Sequence, residues 1–315
     1  MPAHCLDAPD ERDLRWVPRF RGLVRRGQFD VVHAHSPASA SFARPAVRSI
    51  PAASRPGFVY TEHNRWPMYH RATRAANRLT YSLNDHVVAV SDDVRETVDA
   101  RQRARVEVLD HGIDLERVRG HSADRETVRA ELGVGENEIL VVTVANLRPE
   151  KSYPLLMEAA RRVIDRAPNV RFATAGQGAQ EAELRALHAA IGLGDRFAMS
   201  GYVPNAVRLI AGADLFVLAS THEGMPVAVM EALALGVPVV ATAVGGLRAA
   251  VVPGENGVLV PPGDPGALAD AILRLEDPGV RAELAAGARL SSERYSIGPA
   301  AARLEEIYRQ VAAGR

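Results

Sequence analysis

Short apolar runs that end in polar residues, each followed by a segment with helical spacing, constrain the fold of this chain more than any other feature. Runs of this length separated by helices are typical of buried strands in a parallel sheet. The pattern occurs in two series, so we predict an α/β protein with two doubly wound domains. The runs of the first series are 29–35, 58–63, 85–90 and 106–109, and those of the second are 138–146, 170–175, 197–203, 214–218 and 237–242.

Composition excludes several classes of function. The 315 residues carry 38 basic and 38 acidic side chains, and this zero net charge does not indicate a nucleic-acid partner. Cys5 is the single cysteine, which excludes an internal disulfide framework and a cysteine-rich metal site and fits a reducing compartment. No stretch reaches the roughly 18 apolar residues needed to span a membrane, and no apolar signal core is recognised at the amino terminus, so we expect a cytoplasmic location.

Residues 12–26 form a basic amphipathic segment, with six arginines, one acid and interleaved apolar residues. Such a helix can lie on an anionic membrane surface, which would give the protein a peripheral contact at the inner membrane face. An ordinary surface helix whose apolar side meets a core has the same pattern and is the commoner case. The sequence leaves both interpretations open.

The stretch 219–236 is predicted to form a loop followed by a helix that ends at Gly236. Gly224 loosens the turn, Pro226 suits a helix start, and Gly236 with Pro238 ends the helix. Because an apolar run precedes it, the helix is predicted to start at the carboxyl end of a strand, where open parallel sheets bind ligands. Backbone N–H groups near 225–228 and the helix dipole favour an anion such as a diphosphate there.

Two carboxylates flank this predicted anion site. Glu223 lies in the loop and Glu231 one turn into the helix, and both can accept hydrogen bonds from sugar or ribose hydroxyls. Acids near helix starts also occur simply because they favour the helix dipole and face solvent. Taken alone, the two glutamates do not distinguish hydroxyl recognition from this structural role.

Two cations follow the first strand of the second series. Arg148 and Lys151 come after run 138–146, and the carboxyl ends of parallel strands share one edge, so we expect these cations to lie near the two glutamates. A guanidinium and an ammonium together neutralise a diphosphate and stabilise the charge that grows on it as it leaves. Lys151 is the only lysine, which suggests that this position needs a compact ammonium unless the lysine was retained by chance.

Other nucleotide-binding motifs are not supported. No Gly-x-x-x-x-Gly-Lys-Ser/Thr loop is present, and Gly176-Gln-Gly178 is too short for a dinucleotide fingerprint. Kinase and dehydrogenase functions lose support accordingly.

The ordered set of motifs resembles a known family, the retaining GT-B glycosyltransferases of family four. The resemblance covers about 280 residues and is specific because many pieces match in order. The matching pieces include Asp30-Val-Val-His-Ala-His35, Tyr60-Thr-Glu-His63, Ala89-Val-Ser91, His111-Gly-Ile-Asp114, Arg148-Pro-Glu-Lys151, Ala175-Gly-Gln-Gly178, Ser200-Gly-Tyr-Val203, Ser220 to Glu231, Val237 to Thr242, Gly245-Gly246 and Gly257 to Asp264.

The resemblance implies a GT-B fold, with two Rossmann-like domains facing a cleft, and a retaining transferase. The donor would be a nucleotide-diphosphate sugar, UDP- or GDP-linked, held by the second domain without a metal or other cofactor, and the acceptor a glycan, a lipid or a small molecule. By this resemblance Arg148 and Lys151 bind the diphosphate, Glu231 the ribose, and Glu223 with the backbone after Gly224 the sugar. The donor site predicted in this way consists of Arg148, Lys151, Gly176, Val203, Glu223, Gly224, Met225, Pro226, Val227 and Glu231.

His63 is similar in position to the family's active-site histidine, which contacts the donor sugar. The catalytic residues predicted from the resemblance are therefore His63, Glu223, Arg148 and Lys151. A histidine at the end of a strand can also cap a neighbouring loop. His33 and His35 are expected to be structural.

The resemblance also sets the expected domain limits. We predict a first, acceptor-side domain at 1–117, a donor-binding domain at 118–298 and a helix at 299–315 that packs back on the first domain, with a linker over 116–138. Family members usually open with a strand, a Gly-rich loop and further βα units, so the first domain is expected to be truncated and to expose an apolar edge near 31–32. A non-catalytic nucleotide-sugar-binding or interaction module is the alternative function.

Overall fold

The computed structural model describes residues 5, 6, 13–109 and 112–314. Arg12 of the basic segment and His111 of the His-Gly-Ile-Asp piece lie outside the described residues. Internal contacts divide the chain into two units, one comprising 1–111 with 298–315 and the other 112–297. The boundary therefore falls earlier in the chain than the predicted limit at 117/118.

The first unit contains a parallel sheet with strand order β1-β2-β3-β4. These strands are β1 (Val31–Ala34), β2 (Gly57–Glu62), β3 (His86–Ala89) and β4 (Val106–Val108). The helices are α1 (Trp16–Gly27), α2 (Pro37–Arg48), α3 (Arg71–Thr80), α4 (Asp92–Glu96) and α5 (Ala100–Arg103), joined by the C-terminal helix from Gly298 onward.

Both faces of this first sheet are covered. Successive side chains of a strand point to opposite faces, so Phe58 and Tyr60 of β2 join one apolar cluster while Val59 joins another. The second cluster is completed by Ile307 of the C-terminal helix. The outermost strand β1 leaves the apolar side chains of 31–32 half-buried rather than fully exposed, because each packs against one of these clusters.

Helix α1 is amphipathic, and its apolar side packs against the protein core. Trp16 and Phe20 pack against the first cluster, and Val24 is buried. The pattern of this basic segment is thus accounted for without a membrane surface. Within the described residues, no helix is both long enough and apolar enough to cross a bilayer.

The second unit contains a parallel sheet with strand order β10-β9-β8-β5-β6-β7. Its strands are β5 (Ile139–Val144), β6 (Val170–Ala175), β7 (Phe197–Met199), β8 (Leu215–Leu218), β9 (Val239–Thr242) and β10 (Gly257–Val260). Its helices are α6 (Leu115–Gly120), α7 (Arg125–Glu131), α8 (Tyr153–Arg166), α9 (Glu181–Ala190), α10 (Val207–Ala211), α11 (Val227–Ala234), α12 (Leu247–Ala250), α13 (Pro265–Arg274) and α14 (Pro278–Ser291), and α15 (Ile297–Ala313) follows.

The strand order reverses at β5. The chain proceeds from β5 to β6 and β7 on one side, then returns to β8, β9 and β10 on the other. Such a topological switch point leaves a crevice at the carboxyl ends of the two central strands, and ligands of doubly wound sheets bind there. The segments that leave β5 and β8 are therefore brought together by the topology alone.

The segment predicted as a linker instead belongs to the packed second unit. Val118 of α6 and Val128 of α7 are buried in one of the unit's two large apolar clusters. Asp214, just before β8, pairs with Arg125 at 2.5 Å and with Arg129 at 2.7 Å. Two of the segment's charged side chains are therefore used in ion pairs to the residue before β8, and the segment packs as part of the unit.

Candidate functional site

The predicted cation and carboxylate meet at the switch point of the second sheet. The side chain of Lys151, in the turn after β5, lies with Nζ 2.5 Å from Oε1 of Glu223, in the loop after β8. The Oγ hydroxyl of Ser220 donates to the same carboxylate oxygen at 2.5 Å. The two charged side chains are only 18% and 8% exposed, so solvent screens this pair weakly.

The two loops are also joined through the backbone. The N–H group of Thr221 donates to the carbonyl oxygen of Glu150 at 2.8 Å. Arg148 lies in the same turn, but its side chain is 65% exposed and its Nη1 atom is 4.0 Å from a carboxylate oxygen of Glu150. The structure thus brings Lys151 and Glu223 together and leaves the guanidinium of Arg148 facing outward at the same edge.

A pair of glycines after β9 supports the loop that carries Glu223. A Cβ atom on Gly245 would lie 1.9 Å from the carbonyl oxygen of Glu223, and one on Gly246 would lie 2.0 Å from that of Gly224. Both distances are far below van der Waals contact, so only glycine lets the two backbones approach this closely. The Gly-Gly pair is one of the motifs that match the family in sequence, but the sequence alone does not indicate its role in the site.

Replacing Gly246 with alanine should displace the 223–224 loop. Gly246 has ordinary helical dihedral angles, so the effect would come from the steric conflict alone. We expect the free energy of unfolding of the second unit to fall by about 1–3 kcal/mol, measured by urea denaturation. Gly120→Ala is the matched control, since Gly120 also has helical angles and a Cβ atom there meets no heavy atom within 4 Å. Equal stability of the two variants would contradict the assignment.

Glu231 lines a cavity of about 330 Å³ in the second unit. Burial raises the pKa of its carboxyl above the usual range, and the positive charges of Arg117 and His121 act against that shift. Both basic residues belong to the segment predicted as a linker, so sequence reasoning did not assign them to the site. The His-Gly-Ile-Asp piece just before them was the sequence signal that could have pointed to this cavity. The cavity is lined by Ile113, Asp114, Arg117, Val118, His121, Asn205, Ala206, Val207 and Glu231.

The remaining predicted donor-site residues lie on the same edge of the second unit. Gly176 follows β6, and a Cβ atom there would lie 1.9 Å from the carbonyl oxygen of Ala145, so this glycine permits close contact between the ends of β5 and β6. Val203 and Met225 are half-buried against the core. At the start of α11, Pro226 is the N-cap residue and Val227, the first helical residue, is 44% exposed.

His63 lies at the end of β2 in the first unit, where two further histidines join it. Nε2 of His63 is 3.0 Å from Nδ1 of His35. His33 makes hydrogen bonds through both ring nitrogens, to the hydroxyls of Tyr308 at 2.6 Å and Thr61 at 2.7 Å. Burial, together with the neighbouring His35 and His63, lowers the pKa of His33 to about 4.

The residue before His63 is anchored on the opposite face of β2. Glu62 is fully buried, and its carboxylate accepts hydrogen bonds from the hydroxyl of Tyr60 at 3.0 Å, from Nε1 of Trp66 at 2.7 Å and from the hydroxyl of Tyr69. Burial raises the pKa of this carboxyl, and the three donors oppose the shift. The network holds the end of β2 and the following loop in one conformation.

Within 5–6, 13–109 and 112–314, no cluster of three or more histidine, cysteine, aspartate or glutamate side chains could hold a metal ion.

Two α/β units, each built on a parallel sheet, give this chain the GT-B fold, which solved glycosyltransferase structures share. Residues 124–290 match the family described as Glycosyl transferases group 1, and residues 2–117 match the one described as Glycosyltransferase Family 4. The chain belongs to the group 1 glycosyl transferases.

Relatives are similar over most of the chain. A D-inositol 3-phosphate glycosyltransferase of Frankia alni is 30% identical, over 91% of this chain and 81% of the relative. An alpha-D-kanosaminyltransferase of Streptomyces kanamyceticus is 28% identical, over 95% of this chain and 82% of the relative. The crystal structure of Anabaena Alr3699/HepE in complex with UDP-glucose superposes on this chain with a TM-score of 0.81 and 24% sequence identity. The match covers 94% of this chain and 82% of the Anabaena chain, and it shows the fold.

Proposed function

We propose that this chain transfers a sugar from a nucleotide-diphosphate-sugar donor to an acceptor hydroxyl, with retention of anomeric configuration and without a metal ion. The observation that carries the proposal is the contact between Lys151 and Glu223 at the switch point of the second sheet. It puts a charge suited to a diphosphate beside a carboxylate suited to sugar hydroxyls, next to the start of α11.

The proposed roles follow the charges. When the bond between the anomeric carbon and the diphosphate breaks, negative charge grows on the diphosphate, and Lys151, Arg148 and the N–H groups at the start of α11 are placed to stabilise it. Two cations and a helix start would supply the positive charge that a metal ion supplies in other enzymes. Glu223 would accept hydrogen bonds from the sugar, and His63 is the residue of the first unit proposed to contact it.

The cavity beside Glu231 supports placing the nucleoside there. The carboxylate of Glu231 offers two acceptor oxygens for the adjacent hydroxyls of a ribose. Arg117 and His121 would offset the cost of keeping this carboxylate ionised when the nucleoside excludes water.

The relatives suggest which donor and acceptor to try first. Anabaena Alr3699/HepE is described in complex with UDP-glucose, so UDP-linked sugars precede GDP-linked sugars as candidate donors. The name of the Frankia alni relative contains D-inositol 3-phosphate, so this small molecule is the first acceptor to try, and glycans and lipids are the next. We propose a cytoplasmic location for the protein, as expected from the sequence.

The test incubates the full chain with UDP- and GDP-linked hexoses, with and without acceptors, and with or without a chelator. We expect transfer, or slow hydrolysis when no acceptor is present, that the chelator leaves unchanged, and NMR should show a product with the anomeric configuration of the donor. Tight donor binding with no turnover under any condition would support a non-catalytic binding module instead. An inverted product would contradict retention alone.

A further inference from the structure

The three histidines of the first unit form a continuous row. The rings of His33 and His35 lie with their centroids 4.2 Å apart and their planes at 34°, and those of His35 and His63 are 5.3 Å apart at 36°. Hydrogen bonds to Tyr308 and Thr61 fix the inner end of this row. His63, the proposed sugar contact, is the outer end.

His33 provides a fixed and neutral base for the row. A pKa of about 4 keeps its ring uncharged at neutral pH, and hydrogen bonds at both nitrogens prevent it from turning. The ring of His35 therefore stacks on a neutral partner that does not repel it. Burial also lowers the pKa of His35, which favours the neutral form of its ring, and this ring is hydrogen-bonded to His63.

A hydrogen bond between two neutral imidazoles couples their tautomers, because only one proton lies between the two nitrogens. If Nδ1 of His35 donates, Nε2 of His63 accepts, and His63 carries its own proton on Nδ1. If Nε2 of His63 donates, Nδ1 of His35 accepts, and Nδ1 of His63 holds a lone pair. The tautomers of His35 and His63 are thus linked, and Nδ1 of His63 is a donor in one linked state and an acceptor in the other.

We propose that His35 is a positioning residue for His63, and that its Nδ1 atom fixes the orientation and the tautomer with which His63 meets the donor sugar. The inference rests on the proposed function only for the identity of the ligand that His63 contacts. Affinity for UDP should depend little on His35, because the groups proposed to bind the nucleoside and the diphosphate belong to the second unit. The rate of transfer should depend on it, because a catalytic hydrogen bond requires the correct nitrogen to carry the proton.

The test combines nitrogen NMR with kinetics on the full chain. Long-range proton–nitrogen correlations of histidine-labelled protein report the tautomer of each ring, and the signals of His63 are identified by their loss in His63→Gln. We expect the tautomer populations of His63 to differ between the native protein and His35→Ala, and kcat to be about tenfold lower in that variant, in line with partners that orient functional histidines. The affinity for UDP, measured by calorimetry, should be unchanged.

His35→Asn provides the rescue. The side-chain amide of asparagine can place a hydrogen-bonding atom near the position of Nδ1, so this variant should restore most of kcat. His70→Asn is the matched control, because His70 caps α3 through its ring Nδ1 and asparagine is a favoured cap residue. It should leave both the spectrum of His63 and kcat unchanged.

Two outcomes would overturn the inference. One is that the tautomer populations of His63 are the same in the native protein and in His35→Ala, and the other is a loss of kcat in His35→Ala that His35→Asn does not restore, which would indicate a packing role. If the native protein shows no turnover with any donor, the proposed function fails, yet the tautomer of His63 still decides whether His35 controls it. The two failures are therefore distinguishable.

Discussion

Replacing Lys151 with methionine should lower kcat/KM for sugar transfer by about 10²- to 10³-fold, the range found when one preorganised charge-stabilising donor is removed from an active site. Methionine is close to lysine in length and lacks the ammonium, so the variant removes the charge and keeps most of the packing. The measurement is the initial rate of transfer, or of donor hydrolysis, over a range of donor concentrations. Both kcat and the affinity for the donor should suffer, because the diphosphate is bound in the ground state and gains charge in the transition state.

The controls for Lys151 separate charge at the site from charge in general. Arg162→Ala removes a half-exposed cation of α8 that pairs with Glu158 one turn earlier, and it should leave the rate unchanged. Lys151→Arg keeps the charge but replaces a compact ammonium with a broad planar group where Glu223 lies only 2.5 Å away, so it should restore little activity. Full activity of Lys151→Met in a folded protein would remove Lys151 from the proposed mechanism.

The switch point of the second sheet was predictable because its central strands β8 and β9 are fully buried and β5 is nearly so. Buried parallel strands read as short, continuous apolar runs, and every strand except β10 overlaps a run identified in the sequence. Once β5 and β8 are identified, the rule that parallel strands end on one edge predicts that Lys151 and Glu223 approach each other, as the structure shows. The roles of these residues in donor binding remain predictions.

The segment that begins the second unit could not be assigned from local composition. Its apolar positions are few, and its many charges resemble a solvated connection. What fixes it is the pairing of Arg125 and Arg129 with Asp214, far along the chain, which the sequence does not reveal. Arg117 and His121, which line the cavity beside Glu231, were missed for the same reason.

The histidine row shows a different limit of sequence reasoning. His33 lies within β1, His35 follows that strand and His63 follows the adjacent strand β2, so their proximity was predictable from strand pairing. The partner that fixes His33 is not, because Tyr308 lies 275 residues away in the C-terminal helix. His33 and His35 were predicted to be structural, and only the ring-to-ring geometry suggests that one of them acts on His63.

Glu223→Gln should have opposite effects on binding and on transfer. The carboxylate of Glu223 forms an ion pair with the ammonium of Lys151. A diphosphate that binds Lys151 must therefore compete with this carboxylate for the same cation. Glutamine keeps the size and one acceptor oxygen but removes the charge, and Lys151 is left partly buried without a counter-ion. We expect UDP to bind roughly tenfold more tightly, which corresponds to the low end of the range for a hydrogen bond to a charged group.

Transfer by the same variant should fall, by roughly 10²-fold, because the carboxylate that orients the sugar hydroxyls becomes a weaker acceptor. Calorimetry with UDP and initial rates with the nucleotide sugar measure the two effects separately. Ser220→Ala is the control, since it removes the hydroxyl that donates to Glu223 and keeps the charge, so UDP affinity should change little. Weaker UDP binding in Glu223→Gln would mean that the carboxylate holds Lys151 in place for the diphosphate rather than competing with it, and undiminished transfer would exclude Glu223 from sugar recognition.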